Sequence, residues 1–348
     1  MNDDPMSTIS GVSDRSGEAL RVIVIGSPYF AVPTLQRLID LPDVNVDLVV
    51  TQPDRQAGRG RHLVMPPMKT ASLELGLPVY QPESLRQPGD RRPLEAVRPD
   101  LFVVAAYGLI LGPRTLAIPR FGCVNVHASL LPKYRGANPI AAAIAVGDDV
   151  TGVSLMEMDA GLDTGPVFAT VQEPIFEQDT TETLTRRLAE AGGQLLGECL
   201  WDYIGGRLHA RPQGHIGVSV TRPMEKADGV LEWSRPVTEL ERHVRAMWPW
   251  PRAWTTWHDE RFQVHAATPV GSGFAGPSGF VVDGTDFTVV TGNGLLRLDT
   301  VQPPGGRPMS GRQFLAARPD LISSRLGEAV ADRLVTPLVV ELPDVPAR

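Results

Sequence analysis

Apolar and polar positions along this chain follow two regimes. In the first, short and almost uninterrupted apolar runs alternate with longer amphipathic stretches. Residues 20–25 (LRVIVI), 44–50 (VNVDLVV), 101–105 (LFVVA) and 123–126 (CVNV) predict strands, and the wholly apolar 101–105 has the character of a strand covered on both faces. Further strands are expected at 78–80, 152–158 and 166–174, and helical periodicity predicts helices at 30–39, 68–75, 139–146 and about 180–204. Residues 87–92 read only as a polar stretch. Repeated strand–helix alternation of this kind implies an α/β architecture, a doubly wound and mostly parallel sheet. The second regime begins after residues 205–215 (GGRLHARPQGH), rich in Gly, Pro and Arg and read as a linker. Beyond it, short runs at 253–258, 261–267, 279–282, 287–291 and 295–301, interrupted by one helix over 236–247, predict a small β-barrel. The expected division is a disordered extension (1–19), an α/β domain (20–205), a linker (206–214), a β-barrel domain (215–317) and a tail (318–348).

Size agrees with that division, since 348 residues exceed what one small core organises. The two cysteines, Cys123 and Cys199, are far apart and lack ligand spacing, so neither a disulfide framework nor a metal site is expected. Residues 1–17 are polar, with Asp3, Asp4 and Asp14, and no apolar run approaches membrane length; a cytoplasmic protein with no membrane partner is expected. A net charge of −7 argues against a nucleic-acid partner in bulk, but the charge is uneven. Residues 208–312 hold 11 Lys/Arg against 10 Asp/Glu, and the loop from Thr51 to His62 sets Arg55, Arg59 and Arg61 against Asp54. Such a loop cannot bury itself and reads as an exposed, mobile cationic finger; an ordinary solvated turn and a phosphate contact both fit it.

Candidate chemistry lies where the fourth long apolar run ends. Alternation along 123–127 puts Asn125 and His127 on one face, at the strand end where open parallel sheets collect ligands. Downstream, Asp159-Ala160-Gly161-Leu162-Asp163-Thr164-Gly165 sets two aspartates among glycines that let the backbone bend tightly. An amide, an imidazole and a carboxylate form a plausible acyl-transfer set, the acid orienting and charging the imidazole while His and Asn stabilise an oxyanion. A satisfied polar pair and an ordinary turn fit the same residue types. The single Gly26 after the first strand is no Gly-x-Gly-x-x-Gly fingerprint, so no dinucleotide is inferred.

The segments Asn-Val-His-Ala-Ser-Leu-Leu-Pro (125–132), Tyr-Arg-Gly-Ala (134–137) and Met-Asp-Ala-Gly-Leu-Asp-Thr-Gly (158–165) resemble the signature of the folate-dependent formyltransferases. Over residues 21–317 the chain resembles the branch that formylates initiator methionyl-tRNA. Gln-Pro-Asp-Arg…Gly-Arg-Gly (52–60) is similar to the insertion that enters the tRNA acceptor arm. Pro-Trp-Pro with Ala-Trp (249–254), Thr221…Lys226-Ala227-Asp228 and Gly229…Trp233-Ser234 are similar to that branch's C-terminal domain.

The resemblance implies a Rossmann-like catalytic domain followed by an OB-like, tRNA-contacting domain, acting as a monomer. It implies 10-formyltetrahydrofolate as donor and the α-amino group of methionyl-tRNA as acceptor. Asn125, His127 and Asp163 would be catalytic. The folate would be held around Tyr107, Gly108, Ser129, Leu130, Leu131, Pro132 and Asp159, and tRNA by Arg55, Arg59 and Arg61. Ser129 fits a cap on the turn before Pro132 equally well. Five of the six Trp fall in the second domain, as core, as interdomain packing or as base-stacking platforms. Departures from the family pattern are Tyr29 (commonly acidic), Asn138 (commonly Ala), Trp248 (frequently Asn) and Arg252 (frequently Gly). Alternative functions are formylation of an amino-sugar nucleotide and RNA binding without catalysis.

Overall fold

The computed structural model describes residues 18–57, 62–258, 260–271, 276–327 and 337–342. Its first half is built around β1 (Leu20–Gly26), β2 (Val44–Val50), β5 (Val79–Tyr80), β6 (Leu101–Ala105), β7 (Cys123–His127), β9 (Val150–Glu157) and β10 (Val167–Pro174), with β3, β4 and β8 given below. These seven form one sheet in the order β10-β9-β7-β6-β1-β2-β5. Strands β5, β2, β1, β6 and β7 are parallel, while at one edge β9 runs antiparallel to β7 and β10 antiparallel to β9. The apolar runs are continuous because both faces are covered. Val22, Val24, Leu101, Val103, Val124 and Val126 enter one core, and Ile23, Ile25, Phe102, Val104 and Cys123 enter the other. Each buried Val, Leu or Ile side chain contributes roughly 1.5–3 kcal/mol.

Helices α1 (Val32–Asp40) and α6 (Thr181–Ile204) contribute Leu35, Leu38, Leu188 and Leu196 to the first core. Helix α6 carries Gly192 and Gly193 in its interior at a cost in helix propensity, and packing explains them. A Cβ on Gly192 would lie 2.7 Å from Val126, and one on Gly193 would lie 2.9 Å from the Pro33 carbonyl oxygen. The remaining helices of this half are α2 (Pro67–Glu74), α3 (Pro88–Val97), α4 (Pro113–Leu116) and α5 (Pro139–Val146). Helix α3 stands where the sequence reads only as polar. Pro88 takes its first turn, Asp90 accepts the Gln87 N–H at 3.1 Å, and Arg91 and Leu94 alone are buried, so its apolar periodicity is weak. The expected finger is a hairpin where it is described, with β3 (Arg55–Ala57) antiparallel to β4 (His62–Val64).

After residue 205 the chain runs back across the first domain. Strand β11 (Ser219–Thr221) pairs in parallel with β8 (Arg135–Gly136), and β17 (Val339–Glu341), from the tail, joins β11 antiparallel. Helix α7 (Val237–Ala246) then leads into β12 (Ala253–Trp257), β13 (Glu260–Gly271), β14 (Thr288–Val290), β15 (Leu295–Gln302) and β16 (Met309–Ser310), followed by α8 (Gly311–Ala316). They form an antiparallel sheet ordered β12-β13-β15-β14, with β16 on β15, around Phe262, Phe287 and Phe314. Residues 279–282 make isolated bridges, Phe280 to Arg325 and Val281 to Val289, in place of the continuous strand expected.

The two halves are tied directly. Thr181 Oγ1 donates to the Ala246 carbonyl (2.7 Å), Arg245 to the Asp179 carbonyl (2.9 Å), and Trp248 Nε1 to Glu182 (3.0 Å). Trp233 and Trp254 are buried with their N–H groups satisfied, so these indoles serve packing; Trp250 is 52% exposed. Among the described residues no helix is long and apolar enough to cross a membrane, and no three His, Cys, Asp or Glu side chains gather as a metal set.

Helix α7 also holds a titrating group. Burial, then the positive charge of Arg235, pushes His243 from 6.5 down to about 4, and among the described residues its buried Nε2 has no partner. The folded chain therefore favours the neutral ring. Its stabilising contribution is full above about pH 6.5 and is lost as pH falls through the folded value. Urea unfolding should show about 3 kcal/mol lost between pH 7 and pH 4 from this group. His243→Gln should flatten that part of the profile; an unchanged slope would reject the assignment.

Candidate active site

On β7, Cys123 faces the second core, and two and four residues later Asn125 and His127 share that face beyond its apolar cover. They are 8% and 6% exposed at the C-terminal end of the strand. Strand β9 runs past them antiparallel, with Met156 opposite Asn125 and Ser154 opposite His127. The loop after β9 then returns Asp163 to the same spot, with its backbone at φ 50°. Asn125 Nδ2 donates to Asp163 Oδ1 at 3.3 Å, and His127 Nδ1 lies 3.6 Å from Asp163 Oδ2. The Gly136 N–H donates to that same Oδ2 at 2.8 Å. Gly136 has φ 99° and a Cβ there would lie 2.3 Å from the Thr221 carbonyl oxygen, so this donor position admits only glycine.

Partners fix the chemistry of each group. His127 Nε2 is 3.0 Å from the Tyr134 carbonyl oxygen, which only accepts; Nε2 therefore carries a proton and Nδ1 is the nitrogen facing the acid. Asn125 is oriented by the same logic, because a carboxylate accepts and the NH2 group must face it. Among the described residues Asp163 alone takes an Asn125 side-chain N–H, leaving the second as a donor for a ligand. A buried amide donor beside an imidazole–carboxylate pair can stabilise a developing oxyanion and hold a proton in transit.

Around this centre, the loops 106–112 and 128–133 follow the parallel neighbours β6 and β7. Ser129 is fully buried and its hydroxyl donates to the Lys133 carbonyl at 2.5 Å, which makes it the cap of that turn. Leu130, Leu131 and Pro132 are half-buried, and the Leu131 N–H is bound by Ser154 Oγ at 3.0 Å. The Tyr107 ring packs in the second core, where burial pushes its phenol up to about 12; its carbonyl accepts from Gln52 Nε2 at 2.6 Å. Gly108 has φ 76° next to that contact. Asp159 is exposed and shapes its own loop, accepting from the Gly161 N–H (2.9 Å) and Thr164 Oγ1 (2.8 Å). Ile110 of loop 106–112, 75% exposed, and Leu162 of the loop after β9, 58% exposed, are apolar side chains open at the surface.

Comparison with known proteins gives the family. The formyl transferase family model matches residues 20–200, and the model for the formyl transferase C-terminal domain matches 223–319. The methionyl-tRNA formyltransferase of Roseiflexus sp. (strain RS-1) is 44% identical over 314 residues, which is 90% of this chain and 97% of that protein. That of Methylococcus capsulatus is 44% identical over 88% of this chain and all of its own length. The chain belongs to the methionyl-tRNA formyltransferase family. An N-formyltransferase from Helicobacter canadensis, solved with folinic acid and dTDP-3-aminofucose, shares the fold of this formyltransferase with a TM-score of 0.59 at 16% identity, covering 80% of this chain and 99% of that one.

The formyltransferase places the remaining candidates less centrally. Arg55 is exposed at the start of the hairpin, while Arg59 and Arg61 lie outside the described residues. The hairpin root is anchored by Asp54, which bonds Gln81 (2.8 Å) and Lys69 (2.7 Å); both hold its carboxyl below the ordinary value. Of the departures from the family pattern, Tyr29 is exposed at the start of the turn leading into α1. Asn138 spans the domains, donating to the Arg222 carbonyl at 2.9 Å. Arg252 lies over the Trp248 ring at 5.0 Å and bonds Gln263 at 3.1 Å, so both residues are engaged in protein contacts. Tyr134, Gly136 and Gln213 touch the Asn125–His127–Asp163 set without having been singled out by sequence. The first two lie inside the Tyr-Arg-Gly-Ala motif, whereas Gln213 sits in the linker and carries no local signal.

Proposed function

We propose that this formyltransferase moves the formyl group of 10-formyltetrahydrofolate to the α-amino group of methionyl-tRNA, with Asn125, His127 and Asp163 at the reacting centre. One observation carries the reading: an amide, an imidazole and a carboxylate from β7 and a distant loop meet within 3.6 Å at the sheet's C-terminal edge. The reaction joins the amine nitrogen to the formyl carbon, moves a carbonyl electron pair onto oxygen, and then breaks the bond to the folate nitrogen. The amine gives up one proton and the leaving nitrogen takes one. Asn125 offers its second N–H to the oxyanion, and His127 adds positive charge beside it. Asp163 orients the imidazole and, with it, holds the proton between donor and acceptor. Leu130, Leu131, Ile110 and Leu162 supply apolar contact for the folate, and loop backbone groups read its polar edge.

The deciding assay offers labelled formyl donor to methionyl-tRNA and to an amino-sugar nucleotide in parallel. Transfer to methionyl-tRNA alone supports the proposal. Transfer to the sugar, or tRNA binding with no transfer to either acceptor, rejects it. A second test concerns the hairpin. Arg55→Ala and Arg59→Ala should each weaken use of methionyl-tRNA at low salt and reduce the slope of log(kcat/KM) against log[salt] by about one. An unchanged slope rules out phosphate contact by that residue.

A further inference from the structure

Residues 211–217 run along the first domain, and six of the seven are exposed; only Gln213 is turned inward. The backbone before it is pinned, Val167 and Arg211 exchanging two hydrogen bonds of 2.8 Å. From that position the Gln213 side chain uses both ends of its amide. Its Nε2 donates to the carbonyls of Asp163 and Gly165, each at 2.8 Å. Its Oε1 accepts from Arg135 Nε at 3.1 Å and Nη2 at 2.8 Å. Arg135 directly precedes Gly136, the backbone donor to the Asp163 carboxylate. One linker side chain therefore holds the segment bearing the acid and the segment bearing the acid's backbone donor.

Resting on the proposed formyl transfer, we infer that Gln213 is a positioning residue for that reaction, fixing the Asp163 carboxylate against His127 and Asn125 from the interdomain linker. The acid needs such support. Asp163 stands at φ 50° in an otherwise exposed loop, and its contact with His127 is 3.6 Å, longer than a hydrogen bond made under tight restraint. A non-glycine residue in the left-handed region persists only where its surroundings over-determine it. The amide does this with a donor pair aimed at main-chain oxygens that any other loop conformation would move away.

Two variants separate the halves of the clamp. Gln213→Glu keeps an acceptor for Arg135 and removes the donor to the Asp163 and Gly165 carbonyls; Gln213→Ala removes both. Both variants should lower kcat by about tenfold or more, a modest misplacement of a catalytic group having that order of effect. KM for folate and for methionyl-tRNA should stay within about twofold, and the unfolding midpoint should stay near that of the unaltered chain. The side-chain 15N shifts of His127, read without substrate, should move in both variants as its carboxylate neighbour shifts. Unchanged kcat together with unchanged 15N shifts would overturn the inference, as would a loss confined to KM. If the unaltered chain forms no formyl-methionyl-tRNA, the functional proposal fails, and the 15N shifts still decide whether Gln213 holds Asp163.

Discussion

Asn125→Ala should slow formyl transfer by two to three decades in kcat while the chain remains folded. The side chain gives one N–H to Asp163 and has a second to give, in a site only 8% exposed where water cannot easily substitute for it. Losing one preorganised oxyanion donor costs on the order of 3–4 kcal/mol of barrier, and about 1.4 kcal/mol is a factor of ten. Truncation removes only a small polar group from the middle of β7 and leaves the apolar contacts of Val124 and Val126 in place, so thermal unfolding should shift by a few degrees at most. Single-turnover formylation with saturating donor isolates the chemical step. A rate within about threefold of the unaltered chain would remove Asn125 from the mechanism.

Asp163→Asn should have an effect at least as large, about three decades, for a different reason. The substitution is nearly isosteric, yet the carboxylate accepts from three directions: the Asn125 amide, the Gly136 N–H and the His127 side. A carboxamide has a single oxygen. Turned toward Gly136 it sets its NH2 against the Asn125 NH2, and turned the other way it opposes the Gly136 N–H. Either arrangement loses the carboxylate charge beside His127 Nδ1, and general acid–base assistance contributes roughly two to four decades. The loss should fall in kcat, with KM for both substrates nearly unchanged, since the Asp163 carboxylate is engaged by Asn125, Gly136 and His127. A variant within tenfold of normal turnover would show that the acid only builds the loop.

Much of this arrangement can be read from the chain before any coordinates. Leu20–Gly26, Val44–Val50 and Leu101–Ala105 announce themselves because a doubly covered strand needs apolar residues on both faces, and α5 is an uninterrupted Ala/Ile run after a proline. Asn125 and His127 share a face by simple alternation, and that alternation is what the structure preserves. Elements held by tertiary pairing are the ones that stay hidden. Strands β8, β11 and β17 are two or three residues long, and their partners lie about 80 and 120 residues apart, so no local period marks them. Helix α3 is stabilised by its capping residues more than by an apolar stripe. Gln213 is the clearest case. In a Gly-, Pro- and Arg-rich stretch a glutamine reads as solvent-facing, and only the folded path of the linker turns its amide onto Asp163 and Arg135.

The central claim is spatial: the amide, imidazole and acid act on one formyl carbon. A structure of the chain with a non-hydrolysable formyl-folate mimic and a methionine-bearing acceptor analogue tests it most directly. The account predicts the formyl oxygen within about 3 Å of Asn125 Nδ2, with the His127 ring beside it and Asp163 still on the imidazole. A formyl group seated elsewhere along loops 106–112 or 159–164, with Asn125 and His127 still facing only protein, would contradict it.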